Sequence, residues 1–409
     1  MSGILAQLGA ADETVSPPVT TAGAGSGSGV PFIATLTFGS AHGLKIGDTF
    51  TLAGYTPSTY NGTWVVATVP TSTTLTFFTT TLLATATVQG TITAASYATI
   101  TTPSRFFEFN KSGLKLDMNR MESAGLRAAT LVQRSDRWAI DRTGASGAIE
   151  LEVQSKGFGF WLKYLLGIVA TTGPTDSAFT HTGTIGTVTG KSATIQVGKP
   201  STPAQFVHPF TYPGAKITSW SLKCSVKGIA ILTITIDAQD EVTTVALAAA
   251  SYPASTELLT FAGGAVTIGG TSWDVVTDIT ISCDMGLNAD RRYQRSSTLQ
   301  KEPIQEKFRN ITFELAGDFD GLQTAYNRMA STSTAGAIAS IVASWTGKSL
   351  IGVSTFPSLT ATMANARFDG DSPTVDGPSL LTQKISGRAL FDGSTSALSL
   401  AYVTLDSTP

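Results

Sequence analysis

Ala148-Ile149-Glu150-Leu151-Glu152-Val153 alternates apolar and acidic side chains, which is the period-two pattern of a strand with one buried face. The pattern returns in Ile311-Thr312-Phe313-Glu314-Leu315, where Glu314 takes the place of Glu152. Apolar positions at this period predict a mainly β fold. Their recurrence predicts that one plan occurs twice in the chain.

The surroundings of the two strands follow the same order. An alternating stretch and an Arg-rich segment precede each strand, and a short aromatic helix is predicted after it, over residues 158–166 and 319–329. Residues 334–343 are a further helix candidate. A repeat of this size is too long for a short-period solenoid. It predicts a pseudo-symmetric protomer that builds a ring.

Composition restricts the classes of function. Charged residues make up only 14% of the chain, against roughly a quarter in ordinary globular proteins. A β-rich protein whose surface is partly hidden in an assembly has this composition, since an isolated domain needs more surface charge. The net charge of −2 gives no basic footprint for holding nucleic acid.

The residues that carry enzyme chemistry are sparse. The three histidines, His42, His181 and His208, are predicted to be surface or turn residues, and no nucleophile motif, metal motif or phosphate loop is present. Cys224 and Cys283 lie in alternating stretches, so we expect two buried thiols. The chain is therefore predicted to be no enzyme, with no cofactor and no metal.

The N-terminal sequence lacks the basic start and apolar run of a signal peptide. No stretch reaches the ~20 apolar residues of a membrane helix. We expect a soluble protein made in a reducing cytoplasm, without membrane contact.

Four regions are expected along the chain. Residues 1–21 form an N-terminal arm, residues 22–102 a small inserted β-domain, and residues 103–260 and 261–409 the two copies of the repeated plan. The Gly-Ser run at residues 23–29 is predicted to be a flexible linker. The inserted domain has its own candidate aromatic core, formed by Phe50, Trp64 and Phe77.

The Arg-rich segments are the candidate contact sites between subunits, because arginine and carboxylate make bidentate pairs. An ordinary solvated loop is the alternative. The candidate residues are Arg120, Arg127, Arg134, Asp136, Arg137, Trp138, Arg142, Arg291, Arg292 and Arg295.

Several runs, in this order, resemble the tail tube (major tail) proteins of long-tailed bacteriophages, in the version common in phages of actinobacteria. Residues 22–102 depart from that pattern. The runs are Met1-Ser2-Gly3 with Gln7-Leu8-Gly9, Ser112-Gly113-Leu114-Lys115-Leu116, Arg134-Ser135-Asp136-Arg137-Trp138, Lys156-Gly157-Phe158-Gly159, His208-Pro209-Phe210-Thr211-Tyr212, Lys301-Glu302-Pro303, Ala325-Tyr326-Asn327-Arg328 and Arg367-Phe368-Asp369-Gly370-Asp371-Ser372-Pro373.

The resemblance implies that each copy is a tail-tube β-sandwich or barrel with one short flanking helix. Its sheet would join neighbouring subunits around a channel, and rings would stack into the tube that carries DNA to the host. With two copies per chain, a trimeric ring with pseudo-sixfold symmetry is expected. The family's long loop, which reaches the adjacent ring, would map onto residues 118–142 and 285–307.

The resemblance also implies partners and a location. These are the tape measure protein and DNA in the lumen, the tail terminator and distal tail proteins at the ends, and the virion tail, assembled in the host bacterial cytoplasm. Glu150, Glu152 and Glu314 would face the lumen, because carboxylates repel DNA phosphates; a half-exposed strand explains their alternation equally well.

Two other functions fit the same observations. One is a distal-tail or capsid-decoration protein of the same fold. The other is a carbohydrate-binding module, which needs exposed aromatic residues or paired carboxylates at a cleft.

Overall fold

The computed structural model describes residues 6–13, 19–26, 32–39, 42, 44, 49–79, 81–94, 97–125, 127, 131–202, 206–294, 297–319, 321, 326–370, 372–375, 377–378 and 380–409. Large antiparallel sheets dominate this part of the chain, so the prediction of a mainly β fold is confirmed. The chain divides into two compact units. The larger comprises Met1–Ala10, Pro103–Thr189 and Ile195–Pro409, and the smaller comprises Ala11–Thr102 and Gly190–Thr194.

The first strand, β1 (Gln7–Asp12), precedes a six-stranded antiparallel sheet in the smaller unit. The spatial order of that sheet is β2-β3-β6-β5-β4-β7. Its strands are β2 (Val19–Ser26), β3 (Phe32–Phe38), β4 (Thr49–Ala53), β5 (Gly62–Thr71), β6 (Thr74–Thr79) and β7 (Thr91–Ala94).

The predicted aromatic core of the smaller unit is confirmed. Phe50 and Phe77 are buried with their rings edge to face, at 5.4 Å between centroids, and Trp64 packs on Phe77 at 5.1 Å. The linker prediction is wrong for residues 23–26, which belong to β2 and pair with β3. Backbone pairing in a sheet holds this glycine-rich segment although its sequence alone favours flexibility. Residues 27–29 lie outside the described part of the chain.

The first copy of the repeated plan begins with β8, in the larger unit. Helix α1 (Gly159–Leu165) confirms the first predicted aromatic helix, and six of its seven residues are buried. The strands are β8 (Arg105–Phe107), β9 (Lys111–Ser112), β10 (Lys115–Glu122), β11 (Trp138–Glu152), β12 (Gly167–Thr175), β13 (Ala178–Ile185), β14 (Ala193–Pro200), β15 (Val207–Ser225) and β16 (Ile231–Ala238).

The second copy has the matching strands and a shorter helix, α2 (Asn327–Met329). Its strands are β17 (Gly264–Ile268), β18 (Thr271–Ser272), β19 (Val276–Asp284), β20 (Leu287–Asn288), β21 (Ile304–Gln305), β22 (Asn310–Asp318), β23 (Ile338–Thr346), β24 (Ser358–Gly370), β25 (Thr382–Ala389) and β26 (Ser399–Thr404).

Two helix predictions in the second copy need correction. Phe319 and Gly321 are not helical, so the described helix is confined to Asn327–Met329; residues 320 and 322–325 lie outside the described part of the chain. The helix candidate at residues 334–343 is wrong, because β23 occupies most of it. Its side chains alternate between half-buried and buried, and its β-branched residues Ile341 and Val342 favour a strand.

The two copies join edge to edge in one antiparallel sheet. The first contributes β9, β11, β16 and β15 in spatial order, and the second contributes β19, β22, β25 and β24. The pairing of β15 with β19 connects the two four-stranded blocks, with Trp220 opposite Cys283. A path of eight strands therefore crosses both copies in the order β9-β11-β16-β15-β19-β22-β25-β24.

One face of this eight-stranded path is the core. A row of directly opposed residues crosses seven of its strands: Leu151, Leu232, Leu222, Ile281, Phe313, Gly387 and Phe368. The rings of Phe313 and Phe368 meet edge to face at 5.4 Å between centroids. A Cβ atom at Gly387 would come within 2.6 Å of the Phe313 ring, so this contact requires glycine.

Candidate assembly surfaces

The second face of the eight-stranded path is polar along its whole width. Residues directly opposite each other in antiparallel strands project to the same face. One such row crosses all eight strands, and it consists of Lys111, Glu150, Thr233, Ser221, Ser282, Thr312, Arg388 and Arg367. We call this face the polar face.

The three glutamates predicted for the lumen lie on the polar face. Glu150 and Glu152 are half-buried and alternate with buried Ile149 and Leu151, so both point away from the core, and Glu314 on β22 is exposed. Their position toward a lumen stays a prediction.

The polar face carries basic side chains that sequence reasoning did not include. Glu314 forms a salt bridge with Lys384 at 2.9 Å. Strand pairing, which is invisible in a single stretch of sequence, brings opposite charges into the same rows. The basic residues include Lys111, Lys223, Arg367, Lys384 and Arg388, and the acidic ones include Glu150, Glu152, Asp278, Asp284, Glu314, Asp318 and Asp369.

The first Arg-rich segment, residues 118–142, is a hairpin that we call the arm. It continues the pairing of β10 with β11 as far as Glu122 and Trp138, with a bulge between Asn119 and Arg120. Every residue of β10 is exposed. Both faces of this hairpin therefore lie open in the single chain.

The arm brings together seven of the predicted contact residues. Arg134 binds Asp136 through two hydrogen bonds of 2.9 and 2.6 Å, and the guanidinium of Arg120 lies 5.6 Å from the ring centroid of Trp138. Arg142 approaches Asp117 at 3.6 Å. Arg127 and Arg137 are exposed.

The tip of the arm also exposes apolar side chains that the charge pattern did not reveal. Leu131 is fully exposed at 101% and Val132 is exposed at 79%, while Met121 and Trp138 are about half exposed, at 55% and 50%. Burying these side chains against another protein would be favourable, by roughly 25 cal/mol per Å² of apolar area removed from water. Neighbouring exposed apolar groups of this kind mark interaction surfaces.

The second Arg-rich segment, residues 285–307, is arranged differently. We call it the strap. β20 and β21 pair at its base, and its middle lies against strands of the first copy in the same chain. Arg292 donates to the backbone oxygens of Thr143 (3.2 Å) and Thr298, and the hydroxyls of Thr143 and Thr298 lie 2.9 Å apart.

Further hydrogen bonds hold the strap to β16. Gln239 donates to the backbone oxygen of Gln300 at 2.8 Å, and the Gln300 amide donates to Asp237. Burial raises the pKa of Asp237 to about 6, although the Gln300 hydrogen bond and the positive charge of Arg292 both lower it. The junction therefore contains a carboxyl group whose charge is disfavoured.

A buried ion pair completes the junction. The ammonium of Lys216 on β15 bonds to the carboxylate of Glu302 in the strap and to the backbone oxygen of Val188. The Lys216 side chain is only 2% exposed. A buried charge is costly unless it is paired and hydrogen-bonded, so Glu302 is needed where it lies.

Arg291 and Arg292 thus have hydrogen-bond partners within their own chain, since Arg291 also donates to the backbone oxygen of Glu302. That they contact other subunits stays a prediction. Arg295 lies outside the described residues.

The histidine prediction is wrong for His181, which is buried in β13, and His42 is not at the surface although it lies outside the strands. His42 and His181 are buried; His181 hydrogen-bonds to the Thr171 hydroxyl and the Asp406 backbone oxygen, both at 2.8 Å. These contacts give His181 a structural role between strands. The cysteine prediction is confirmed, because Cys224 and Cys283 are both buried and free.

Among the described residues, no three metal-ligating side chains cluster closely enough to hold an ion. Within the same part of the chain, no helix has the length and apolar character needed to cross a membrane.

The model of one protein family, the phage tail tube protein, matches residues 78–389. The match covers most of the chain, which therefore belongs to the phage tail tube protein family. This is a structural family, and its members assemble with themselves into the tube of the phage tail. No curated protein is similar enough to count as a match.

Proposed function

We propose that this chain polymerises into stacked rings whose shared channel delivers phage DNA into the host. The observation that carries the proposal is the eight-stranded path, in which two matching four-stranded blocks join edge to edge. The β15–β19 junction inside one chain supplies a template for the junction between chains. Repetition of the same junction closes a ring without any new type of contact.

Each ring contains three chains. Two blocks per chain and three chains give six blocks, which is the pseudo-sixfold arrangement that the duplication predicts. The tape measure protein and DNA occupy the lumen in turn, and the tail terminator and distal tail proteins bind the two ends of the tube. Assembly takes place in the host bacterial cytoplasm.

The polar face lines the lumen. Its hydroxyls and its interspersed charges keep a water layer, and its carboxylates offset the counterion-release affinity that its basic residues would gain from passing phosphates. Glu150, Glu152 and Glu314 belong to this wall. The opposite face cannot serve, because it is the apolar core.

The arm carries contacts between successive rings. Its paired charges and its exposed apolar tip both favour a protein surface as the partner. The residues are Arg120, Arg127, Arg134, Asp136, Arg137, Trp138 and Arg142.

The smaller unit decorates the tube and is not required for assembly. Its own sheet and its own buried aromatic core support this proposal. The proposed domains of the chain remain residues 1–21, 22–102, 103–260 and 261–409.

Negative-stain electron microscopy of the purified protein tests the proposal. Stacked rings with an axial hole are expected. A monomer that binds polysaccharide, or a ring that never stacks, would contradict the tube and favour a carbohydrate-binding module or a distal-tail protein.

A further inference from the structure

The arm and the strap are equivalent segments with different surroundings. Each lies, along the chain, between the first two strands of its four-stranded block: the arm between β9 and β11, and the strap between β19 and β22. The arm is exposed on both sides, whereas the strap lies on the first copy of its own chain. Duplication alone would give two equivalent arms.

The strap makes contacts of the kind that hold a permanent interface. It places Gln300 among the buried residues and supplies Glu302 to the buried ammonium of Lys216. Removing either contact would take a hydrogen-bond or charge partner from a buried polar group, which is costly. The strap therefore cannot bind another chain instead without losing these contacts.

We propose that each chain offers one arm, and not two, to a second copy of the chain in the next ring. The strap instead locks the two copies of its own chain in register, and Arg291 and Arg292 act in that lock. A trimeric ring then presents three stacking arms, so the stacking interface has threefold symmetry although the sheet is pseudo-sixfold. This inference rests on the proposed function.

The occupant of the arm's apolar surface is another copy of this chain. Members of the phage tail tube protein family assemble with themselves, so the partner expected for this surface is a second copy. Leu131 and Val132 at the arm's tip are exposed at 101% and 79%, whereas Tyr293 of the strap is exposed at 53%.

A disulfide test follows from the contact between Thr143 and Thr298. The double variant Thr143→Cys with Thr298→Cys places two thiols where the wild-type hydroxyls lie 2.9 Å apart, so that a disulfide can form between them. Tubes of this variant are oxidised and analysed by non-reducing electrophoresis and by mass spectrometry of the linked peptides. The single variant Thr143→Cys is the control.

The expected result is a linkage within one chain. Oxidised tubes should therefore run as single chains in non-reducing electrophoresis. Linkage between chains, or no linkage, would overturn the inference while the tubes themselves still support the proposed function. Wild-type protein without tubes would contradict the proposed function, whatever the linkage.

A second variant covers the case in which the cysteine pair does not fold. Glu302→Gln removes the charge that pairs with Lys216. If the strap acts within its own chain, the Tm of the dilute, unassembled chain falls by several degrees. An unchanged Tm of the dilute chain, together with a lower Tm of the assembled tube, would overturn the inference.

Discussion

Glu152 of β11 and Glu314 of β22 lie in one transverse row of the sheet, four strands apart and on the same face. At a strand spacing of about 4.8 Å, the row separates them by roughly 19 Å. Ile231, Lys223 and Thr280 lie between them in that order. The repeat seen in the sequence is therefore a repeat in space, with a period of one four-stranded block.

The arm can be tested by removing its paired charges. The double variant Arg134→Ala with Arg137→Ala should fold normally, because exposed loop substitutions usually change stability by about 0.5 kcal/mol or less. It should polymerise poorly, since contacts between rings are lost. Sedimentation and electron microscopy measure assembly, with Lys348→Ala as an exposed control outside the arm. Unchanged tubes in the double variant would remove the arm from the stacking interface.

The junction between the strap and β16 predicts a dependence of stability on pH. The pKa of Asp237 is raised to about 6 by burial, above its value of about 4 in the unfolded chain. Between these values the folded state binds more protons than the unfolded state, so stability falls as pH rises from about 4 to about 6.

The variant Asp237→Asn should remove that contribution and keep an oxygen for the Gln300 amide to donate to. Its Tm should exceed the wild-type value at pH 7 and approach it near pH 4. Thermal melts of unassembled protein across this range check the sign. A variant that is less stable than wild type at pH 7 would show that the Asp237 charge is favourable in the fold.

The polar face can be tested by reversing charge. The double variant Glu150→Lys with Glu152→Lys should assemble, because both side chains are partly exposed and point away from the core. DNA release from phage that carries the variant should be slower and more dependent on salt, because added lysines gain counterion release at phosphates. Glu306→Lys, an exposed glutamate of the strap, is the control. Equal release rates would place these residues away from the DNA path.

The smaller unit can be tested by deletion. In the second copy, Gly269 and Gly270 join β17 to β18, both with positive φ, as a two-residue hairpin turn requires. In the first copy, Ala10 and Arg105 form the last pair between β1 and β8, and the smaller unit begins at the next residue, Ala11. Replacing residues 11–104 with Gly-Gly should give a folded chain that still forms tubes. A folded chain without tubes would make the unit part of the assembly.

The sequence predicted the parts of this fold that depend on local pattern. The alternation of Glu150 and Glu152 with Ile149 and Leu151 fixed which side of β11 is buried, and the aromatic run of α1 identified its helix. The contacts of the strap could not be predicted from the sequence, because its partners Lys216 and Asp237 lie in strands far away in the chain. The basic residues of the polar face were missed for the same reason, since only strand register places Lys384 beside Glu314.

The helix errors have a related cause. Residues 334–343 contain alanines and apolar residues that fit either a strand or a helix over a short window. Pairing of β23 with β17 and β24 decides the matter in favour of a strand. Tertiary contacts thus override a weak local preference.

In the proposed ring, two four-stranded blocks of one chain take the places of two separate subunits. Cryo-electron microscopy of assembled tubes, with symmetry determined from the images, tests it most directly. We predict three chains per ring, with six similar blocks around the channel and threefold symmetry overall. Six chains per ring would contradict the account.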